Sequence, residues 1–401
     1  MQLSSMALAT NVVRPTWAQR PVPKSEFDYL DWSWQSWRQI TRQRRPRIRS
    51  EQSGRSELID LLVTERKSLT TPEAWEVRRR VILEVLSEII GKPPAAKNPL
   101  KPTVEEEIAQ DGYLRRKFSF YPEPGELVKG YLLIPRNIRG KRPAVVCPHQ
   151  TTQEGKREPA GLAGNPELQT ALHLVHRGYV TISYDAVCFG ERHDPASGHY
   201  GDAIPFYRKY PGWSLIGKMV WDLGRIIDYL NTLDFVDPER IGCIGHSHGG
   251  ITTLFAMAFD QRIQAGVSNC GFDTFRIDGN VWRWSHATAL LPRLGFYVGS
   301  PYINMDSYRG VPDSEVIQTP FEMHQLLGLI APRPLFLSTS DEDFVFPNAG
   351  WSARRSLARV EPVYRLLKAA DKIEGYFFKA GHSFPKRVSD RSYDWMDRWL
   401  R

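Results

Sequence analysis

The chain has 401 residues, of which 41% are hydrophobic and 24% charged, a balance typical of globular proteins and unlike that of disordered chains. The formal net charge is +8, and segment 37–50 alone carries six arginines. No stretch approaches the roughly 20 apolar residues of a membrane span, and residues 1–15 lack the basic start and apolar run of a signal peptide, so we expect a cytoplasmic protein.

The arginine-rich segment 37–50 raises the question of an acidic partner. Clustered cations suit contacts with phosphates, but no aromatic-interleaved basic pattern or nucleic-acid fold signature accompanies them. A solvated segment or a subunit contact is the simpler interpretation. We therefore expect neither a nucleic-acid partner nor a membrane partner, and we place a homodimer contact on this N-terminal extension as a hypothesis.

The first 100 residues differ from the rest in composition and in hydrophobic periodicity. Residues 1–55 are rich in tryptophan, arginine and proline without periodicity, whereas residues 57–90 turn helical, with Thr71 and Pro72 as start signals and Gly91 as the stop. A proline-rich linker follows at 92–102. The pattern predicts an N-terminal helical and irregular extension over 1–100 and a second, larger domain over 101–401.

Beyond the linker, strands and helices alternate. Segments 113–121 and 126–135 alternate like antiparallel strands, and later apolar runs suit a sheet covered on both faces. Those runs are 142–149, 179–185, 240–245, 264–270, 333–340 and 374–381, with helices predicted at 165–178 and 214–233 among others. Such alternation predicts an α/β fold with a doubly wound sheet.

One strand–helix corner carries a chemical motif. Residues 245–249 read GHSHG, a G-x-S-x-G pattern where the strand 240–245 ends and an apolar-rich helix begins. Glycines two residues before and after Ser247 relieve the crowding of a tight turn that exposes the serine hydroxyl. The pattern therefore predicts that Ser247 is a nucleophile. The alternative is a small residue at a close strand–helix contact.

A serine hydroxyl needs a base, and such a turn places its partners in the chain order serine, acid, histidine. His382 follows the last predicted strand in a glycine-containing loop. Asp343 follows the strand 333–340 and is the favoured acid, with Asp341 and Glu342 as competitors. The four cysteines, Cys147, Cys188, Cys243 and Cys270, form no C-x-x-C pair, so we expect reduced thiols and neither a metal nor a cofactor.

Acyl transfer also needs donors for a developing oxyanion. The backbone amide of His248, next to the nucleophile, is the first candidate. The second is the amide of Gln150 in the loop 149–156, with His149 shaping that loop. The alternative for His149 and Gln150 is loop packing alone.

An aromatic-rich insert at about 271–330 lies between the predicted strands 264–270 and 333–340 and is expected to cap the site. Its rings could line a substrate pocket or form the core of the insert itself. The candidates are Trp282, Trp284, Phe296, Tyr297 and Tyr302, with Trp213 as a weaker one outside the insert.

Several blocks in order, including YDAVCFGER (184–192), GCIGHSHGG (242–250), STSDEDFVFP (338–347) and AGHSFP (380–385), resemble the α/β-hydrolase superfamily. More narrowly, residues 75–401 resemble its dienelactone-hydrolase and acetyl-xylan-esterase-like branch of serine hydrolases. The resemblance implies an eight-stranded, mostly parallel sheet flanked by helices, a Ser–Asp–His triad, and ester hydrolysis through an acyl-enzyme. The chain departs from the family at His149–Gln150, where many relatives have a histidine–glycine pair, and in the two histidines that flank the serine.

These observations predict a carboxylesterase-type hydrolase of short-chain or acetyl esters. A serine in place of the cysteine of true dienelactone hydrolases favours esterase chemistry. A peptidase or amidase and a C–C bond hydrolase remain alternatives on the same fold, and a non-catalytic binding protein is a third.

Overall fold

The computed structural model describes residues 34–53, 55, 57–65, 67–93, 98–194, 200–277, 280–297 and 319–401. Within them, nine strands form a single sheet. The strands are β1 (Thr103–Ala109), β2 (Tyr113–Glu123), β3 (Glu126–Pro135), β4 (Arg142–Val146), β5 (Val180–Tyr184), β6 (Val236–His246), β7 (Ile263–Asn269), β8 (Leu335–Ser340) and β9 (Ile373–Phe378).

The strand order is β1-β2-β3-β5-β4-β6-β7-β8-β9. Strands β1, β2 and β3 pair antiparallel, β3 also pairs antiparallel with β5, and the pairs from β5 to β9 are all parallel. The predicted α/β sheet is therefore confirmed. Its parallel strands all end at one edge, so the loops that follow them meet there.

The strand count is nine rather than the predicted eight, and β1 is the strand that the apolar pattern did not reveal. Its side chains are exposed at all but one position, so no alternation marks it. Charge pairs across the edge hold it instead. Glu107 accepts from Arg116 at 2.7 Å, and Glu105 lies 3.7 Å from Lys117. Opposite charges on facing strands stabilise such a pairing.

Helices cover both faces of the sheet. They are α1 (Trp34–Thr41), α2 (Pro72–Ile90), α3 (Thr170–His176), α4 (Ala203–Lys209), α5 (Leu215–Leu230), α6 (His248–Phe259), α7 (Met323–Ile330), α8 (Ala349–Leu366) and α9 (Lys386–Leu400). Side chains of α5, α6, α7 and α8 share one apolar core, and those of α3 and α9 share the other. No helix among the described residues is both long enough and apolar enough to cross a bilayer.

Helix α2 begins and ends where the sequence signals predict. The Thr71 hydroxyl accepts from the Ala74 amide, Pro72 occupies the first turn, and Gly91 ends the helix at φ +83°. A Cβ at Gly91 would lie 2.1 Å from the carbonyl oxygen of Gly212, so glycine is required there. The boundary near residue 100 stays a prediction.

Helix α2 packs directly on helix α7, which covers the sheet. Trp75 is buried to 1% exposure, and a Cβ at Gly328 of α7 would lie 3.4 Å from its ring. The Arg79 side chain donates to the carbonyl of Leu329 at 3.2 Å. The N-terminal extension therefore shares an apolar core with the sheet.

Removing the Trp75 ring should destabilise the whole protein. Trp75→Ala is expected to lower the free energy of unfolding by about 3–5 kcal/mol, because it leaves a cavity between α2 and α7. Urea denaturation followed by circular dichroism measures the change. Val81→Ala, on the same helix but 52% exposed, is the control and should shift stability by less than about 0.5 kcal/mol. Equal effects of the two substitutions would contradict the shared core.

Candidate active site

The turn between β6 and α6 leaves no room for a side chain two residues before Ser247 or two residues after it. Ser247 adopts φ 52° and ψ −121°, a conformation that L-residues rarely take. A Cβ at Gly245 would lie 2.2 Å from the carbonyl carbon of Gly249, and a Cβ at Gly249 would lie 2.2 Å from the carbonyl oxygen of Pro148. The glycines are therefore a steric requirement of the turn, as the G-x-S-x-G pattern predicts.

The structure brings Ser247, His382 and Asp343 together from three loops. His382 Nε2 lies 2.8 Å from Ser247 Oγ, and His382 Nδ1 lies 2.8 Å from Asp343 Oδ2. The second carboxylate oxygen, Oδ1, accepts from the amides of Val345 and Phe346 at 2.8 and 2.9 Å. These amides hold the buried carboxylate in place and leave Oδ2 free for the imidazole.

The two competing carboxylates have other roles. Asp341 makes a bidentate ion pair with Arg354, with its two carboxylate oxygens 2.6 and 2.9 Å from the guanidinium nitrogens. Glu342 is exposed, and its backbone amide donates to the Ser340 hydroxyl. Asp343 is thus the carboxylate of this loop that bonds the imidazole of His382.

The ring of His382 packs on that of His246, with centroids 4.7 Å apart, a contact that the sequence analysis did not anticipate. The Asn269 amide nitrogen donates to the Ser383 carbonyl at 2.9 Å and lies 2.7 Å from His246 Nδ1. Because a carbonyl can only accept, this orientation makes His246 Nδ1 an acceptor and the ring neutral. Burial, and then the nearby charge of His382, lower the pKa of His246 well below its usual value.

Next to the expected oxyanion donors, the loop 148–150 packs against the turn between β6 and α6. A Cβ at Gly249 would meet the carbonyls of Pro148 and His149. His149 donates through Nδ1 to the Gln150 carbonyl at 2.6 Å and accepts the Ala186 amide at Nε2. The ring is therefore neutral, and burial lowers its pKa. It links this loop to the turn after β5, the shaping role expected of it.

Two further side chains complete this region. The Gln150 side chain donates to Glu158 at 3.1 Å, which leaves its backbone amide as the group relevant to an oxyanion. His248 is the first residue of α6, so its amide belongs to the helix N-terminus, where amides lack partners within the helix. Its buried ring packs on Phe189 at 5.2 Å, and burial, with the neighbouring His149, lowers its pKa to about 3.

With this geometry in place, comparison with known proteins identifies the family. A model described as the Abhydrolase family matches residues 61–273, more than half of the chain. The chain belongs to the Abhydrolase family. A model of the Prolyl oligopeptidase family also matches the chain, over residues 215–401.

Individual relatives of this Abhydrolase family member are distant. YtaP of Bacillus subtilis (strain 168) is 24% identical over 327 residues, which cover 80% of this chain and 99% of YtaP. A 4-O-methyl-glucuronoyl methylesterase of Phanerochaete carnosa is 26% identical over 243 residues, which cover 56% of this chain and 55% of that enzyme.

Solved structures support the same fold. A glucuronoyl esterase from Solibacter usitatus superposes with a TM-score of 0.66 at 18% identity, covering 85% of this chain and 97% of that one. Together with the family matches, this confirms the α/β-hydrolase fold and the prediction of a carboxylesterase-type hydrolase.

A buried ion network braces the loop 149–156 of this Abhydrolase family member. Lys156 Nζ lies 2.5 Å from Asp185 and 2.7 Å from Glu191. Although partial burial alone would raise it, the pKa of Glu191 falls to about 2 because Lys156 and Lys129 donate hydrogen bonds to it. A lone lysine in a loop gives no sequence signal of such a role.

Next to this network, Arg192 pairs with Asp222 at 2.8 Å and with Glu126 at 3.0 Å. Gly155 lies at φ +52°, and a Cβ there would be 2.2 Å from Asp185 Oδ1. The turn after β5 is therefore tied both to the loop 149–156 and to the neighbouring elements.

The predicted pocket aromatics are mostly core residues. Trp284 is buried against Phe255 and Phe275, and its Nε1 donates to Asn280, which matches the alternative that the insert uses its rings for its own core. Trp213 contacts the end of α2 and helix α5 rather than the serine turn: it bridges to Gly91 and packs on Trp221. Its ring is buried in the apolar core between those elements, and its assignment as a substrate-pocket residue stays a prediction.

Of the other candidates, Phe296 packs on Trp34 and Trp37, and Tyr297 lies beneath the Arg45 guanidinium. Tyr302 and the side chain of Trp282 lie outside the described residues, so the structure leaves their assignment as a prediction.

In the part of the chain that the structure describes, one group of side chains has the spacing of a metal site: Cys270, Asp343 and His382, whose ligand atoms lie within 4.8 Å of one another. His382 Nδ1 is already bonded to Asp343. Burial, and then the charge of Asp343, raise the pKa of the Cys270 thiol well above its usual value, so it stays protonated, and thiolates are the form that binds metals. This donor set suits proton transfer better than metal binding.

The close approach at Gly249 predicts a large effect of one methyl group. Gly249→Ala should slow the reaction of Ser247 with a fluorophosphonate by roughly 100-fold, the loss typical when an oxyanion contact is disturbed, because the new Cβ displaces the Pro148 carbonyl. The labelling rate measures this. Gly224→Ala on α5 is the control, since its Cβ would lie 3.4 Å from the nearest atom and should leave the rate unchanged. Labelling of Gly249→Ala at the wild-type rate would contradict the steric argument.

Proposed function

We propose that the protein hydrolyses short-chain carboxylic esters, acetyl or methyl esters among them, with Ser247 as the nucleophile, His382 as the base and Asp343 as the acid that orients it. The hydrogen-bonded chain from Asp343 through His382 to Ser247 is the observation that carries the proposal. Buried, neutral rings at positions 149, 246 and 248 leave His382 as the imidazole that contacts the hydroxyl.

The first half of the reaction forms an acyl-enzyme. Ser247 Oγ attacks the carbonyl carbon while its proton passes to His382 Nε2, and Asp343 stabilises the resulting imidazolium through Nδ1–H. The amides of His248 and Gln150 are the proposed donors to the oxyanion. When the tetrahedral intermediate collapses, the ester C–O bond breaks and the proton moves from His382 to the departing alkoxide.

In the second half, water takes the place of the alcohol. His382 removes a proton from the water as its oxygen attacks the acyl carbon. Collapse of the second intermediate breaks the bond to Ser247 Oγ, returns the proton to Ser247 and releases the carboxylic acid. No group outside the chain is needed for these proton transfers.

Three comparisons bear on the bond that is cleaved. The Phanerochaete carnosa relative is named a methylesterase and the Solibacter usitatus neighbour a glucuronoyl esterase, which supports an ester, with a carbohydrate ester as the proposed natural class. The match of residues 215–401 to the Prolyl oligopeptidase family favours a peptidase as the second candidate. The cytoplasmic location and the homodimer contact through the extension stay predictions.

A substrate panel separates the two candidates. We expect the purified protein to turn over 4-nitrophenyl acetate and a methyl ester of a uronic acid, and not aminoacyl 4-nitroanilides, because an amide carbonyl is less electrophilic than an ester carbonyl. Release of nitrophenol, methanol and nitroaniline is measured. Faster cleavage of the anilides than of both esters would favour the peptidase.

Removing the hydroxyl of Ser247 tests the nucleophile. Ser247→Ala should lower kcat for 4-nitrophenyl acetate by roughly 10⁴-fold or more, because triad members act as a unit. Its thermal midpoint should stay close to wild type. Ser383→Ala is the matched control, since that hydroxyl donates to the Ala380 carbonyl, and it should retain activity. Turnover that survives Ser247→Ala would end the proposal.

The choice among three neighbouring carboxylates has its own test. Asp343→Asn should lower kcat at pH 7 by roughly 10⁴-fold, because an amide cannot support the imidazolium or hold the required tautomer. Asp341→Asn removes the same charge two residues away, breaks the Arg354 pair and should leave kcat nearly unchanged. If the two variants lose activity equally, Asp343 is not the specific acid.

A further inference from the structure

A basic cleft of about 430 Å³ lies at the edge of the sheet opposite Ser247. Arg142 begins β4 there, and Arg240 lies in the first half of β6, whereas Ser247 follows the other end of β6. We define the basic cleft by the six cations among its lining residues: Arg136, Lys141, Arg142, Arg177, Arg240 and Arg401.

Positive charge in the basic cleft exceeds the negative charge that neighbours it. No aspartate or glutamate is among the lining residues. Arg177 pairs with Asp394 and Asp397, Arg401 shares Asp397, and Arg240 pairs with Asp237. Three carboxylate side chains therefore pair with three of the six cations, and Arg136, Lys141 and Arg142 make no ion pair within the described residues.

Two of these arginines have no carboxylate of their own. Within the described part of the chain, neither Arg136 nor Arg142 makes an ion pair. Arg142 Nε is moreover a buried donor without a hydrogen-bond partner among the described residues. Because buried donors are usually satisfied in folded proteins, this Nε could donate to an acceptor bound in the cleft.

The residue types indicate what kind of acceptor fits. Five of the six cations are arginines, whose planar forks match the paired oxygens of phosphate and carboxylate groups. The volume falls within the roughly 300–1,000 Å³ of small-molecule sites. The other lining residues are Pro135, Pro143 and Gly178, which offer no aromatic face on which a nucleic-acid base could stack.

We propose that the basic cleft binds a small multivalent oxyanion, a molecule with two or more phosphate or carboxylate groups. This site is separate from the Ser247 site, because it occupies the other edge of the sheet. Its occupation neither requires nor reports ester hydrolysis.

Calorimetric titration of the full chain at low ionic strength, in a buffer without polyvalent anions, tests the proposal with pyrophosphate and citrate as probes. We expect saturable binding of at least one probe, weakened at least tenfold by Arg136→Gln combined with Arg142→Gln. Preference for pyrophosphate would indicate a phosphate-type ligand, and preference for citrate a carboxylate-type ligand. Added salt should weaken binding as it screens the charges.

Two further variants separate a built site from general attraction by a basic protein. Arg391→Gln combined with Arg398→Gln removes the same charge from exposed arginines of α9 outside the basic cleft, and binding should stay within twofold of wild type. Arg142→Lys keeps the charge but replaces the planar guanidinium with an ammonium group. It should weaken binding, because an ammonium group cannot donate the paired hydrogen bonds that a guanidinium gives to an oxyanion. Arg136→Gln alone, at an exposed position, serves if the double cleft variant does not fold.

Failure to bind either probe saturably would overturn the proposal. So would equal losses in the cleft variant and the α9 variant, because binding would then follow net charge alone. Unchanged binding in the cleft variant would overturn it as well.

Discussion

The close approach of three backbone segments around Ser247 is the constraint on which the site depends. The end of β6, the start of α6 and the loop 148–150 come so near one another that neither Gly245 nor Gly249 could carry a side chain. This contact forces Ser247 into φ 52° and presents its hydroxyl to His382. It also sets the first amide of α6 beside the loop that supplies the second proposed oxyanion donor.

Around that turn, the imidazole of His382 differs from the three neighbouring imidazoles in its surroundings and hydrogen-bond partners. The rings at positions 149, 246 and 248 are buried, and burial holds their pKa values low. His382 instead lies between Ser247 and the buried carboxylate of Asp343. Asn269, at the end of β7, links this arrangement to the sheet. Its side-chain amide nitrogen donates hydrogen bonds to both the His246 ring and the Ser383 carbonyl.

Charged side chains hold the loops that the apolar core cannot reach. Lys156, Asp185 and Glu191 tie the loop 149–156 to the turn after β5, and the Glu105 and Glu107 pairs attach β1 to the sheet. Paired charges stabilise only where the geometry is exact enough to offset the loss of water. At the opposite edge, Arg136 and Arg142 make no ion pair with any residue that the structure describes, and the ligand proposed for the basic cleft would supply negative charge there.

Local patterns in the sequence were sufficient for the parallel strands, for helix α2 and for the turn at Ser247, because apolar periodicity, capping residues and paired glycines act over a few neighbouring positions. The tertiary structure decided the choice of Asp343 over Asp341 and Glu342, the tilted ring contact between His246 and His382, and the burial of Trp213 and Trp284 in cores. Each depends on which atoms approach from segments tens to hundreds of residues away. The sequence alone determined which chemistry the chain can carry, and the packing of distant loops decided which of its similar side chains can take part, since a hydrogen bond forms only between groups that the fold brings within about 3 Å.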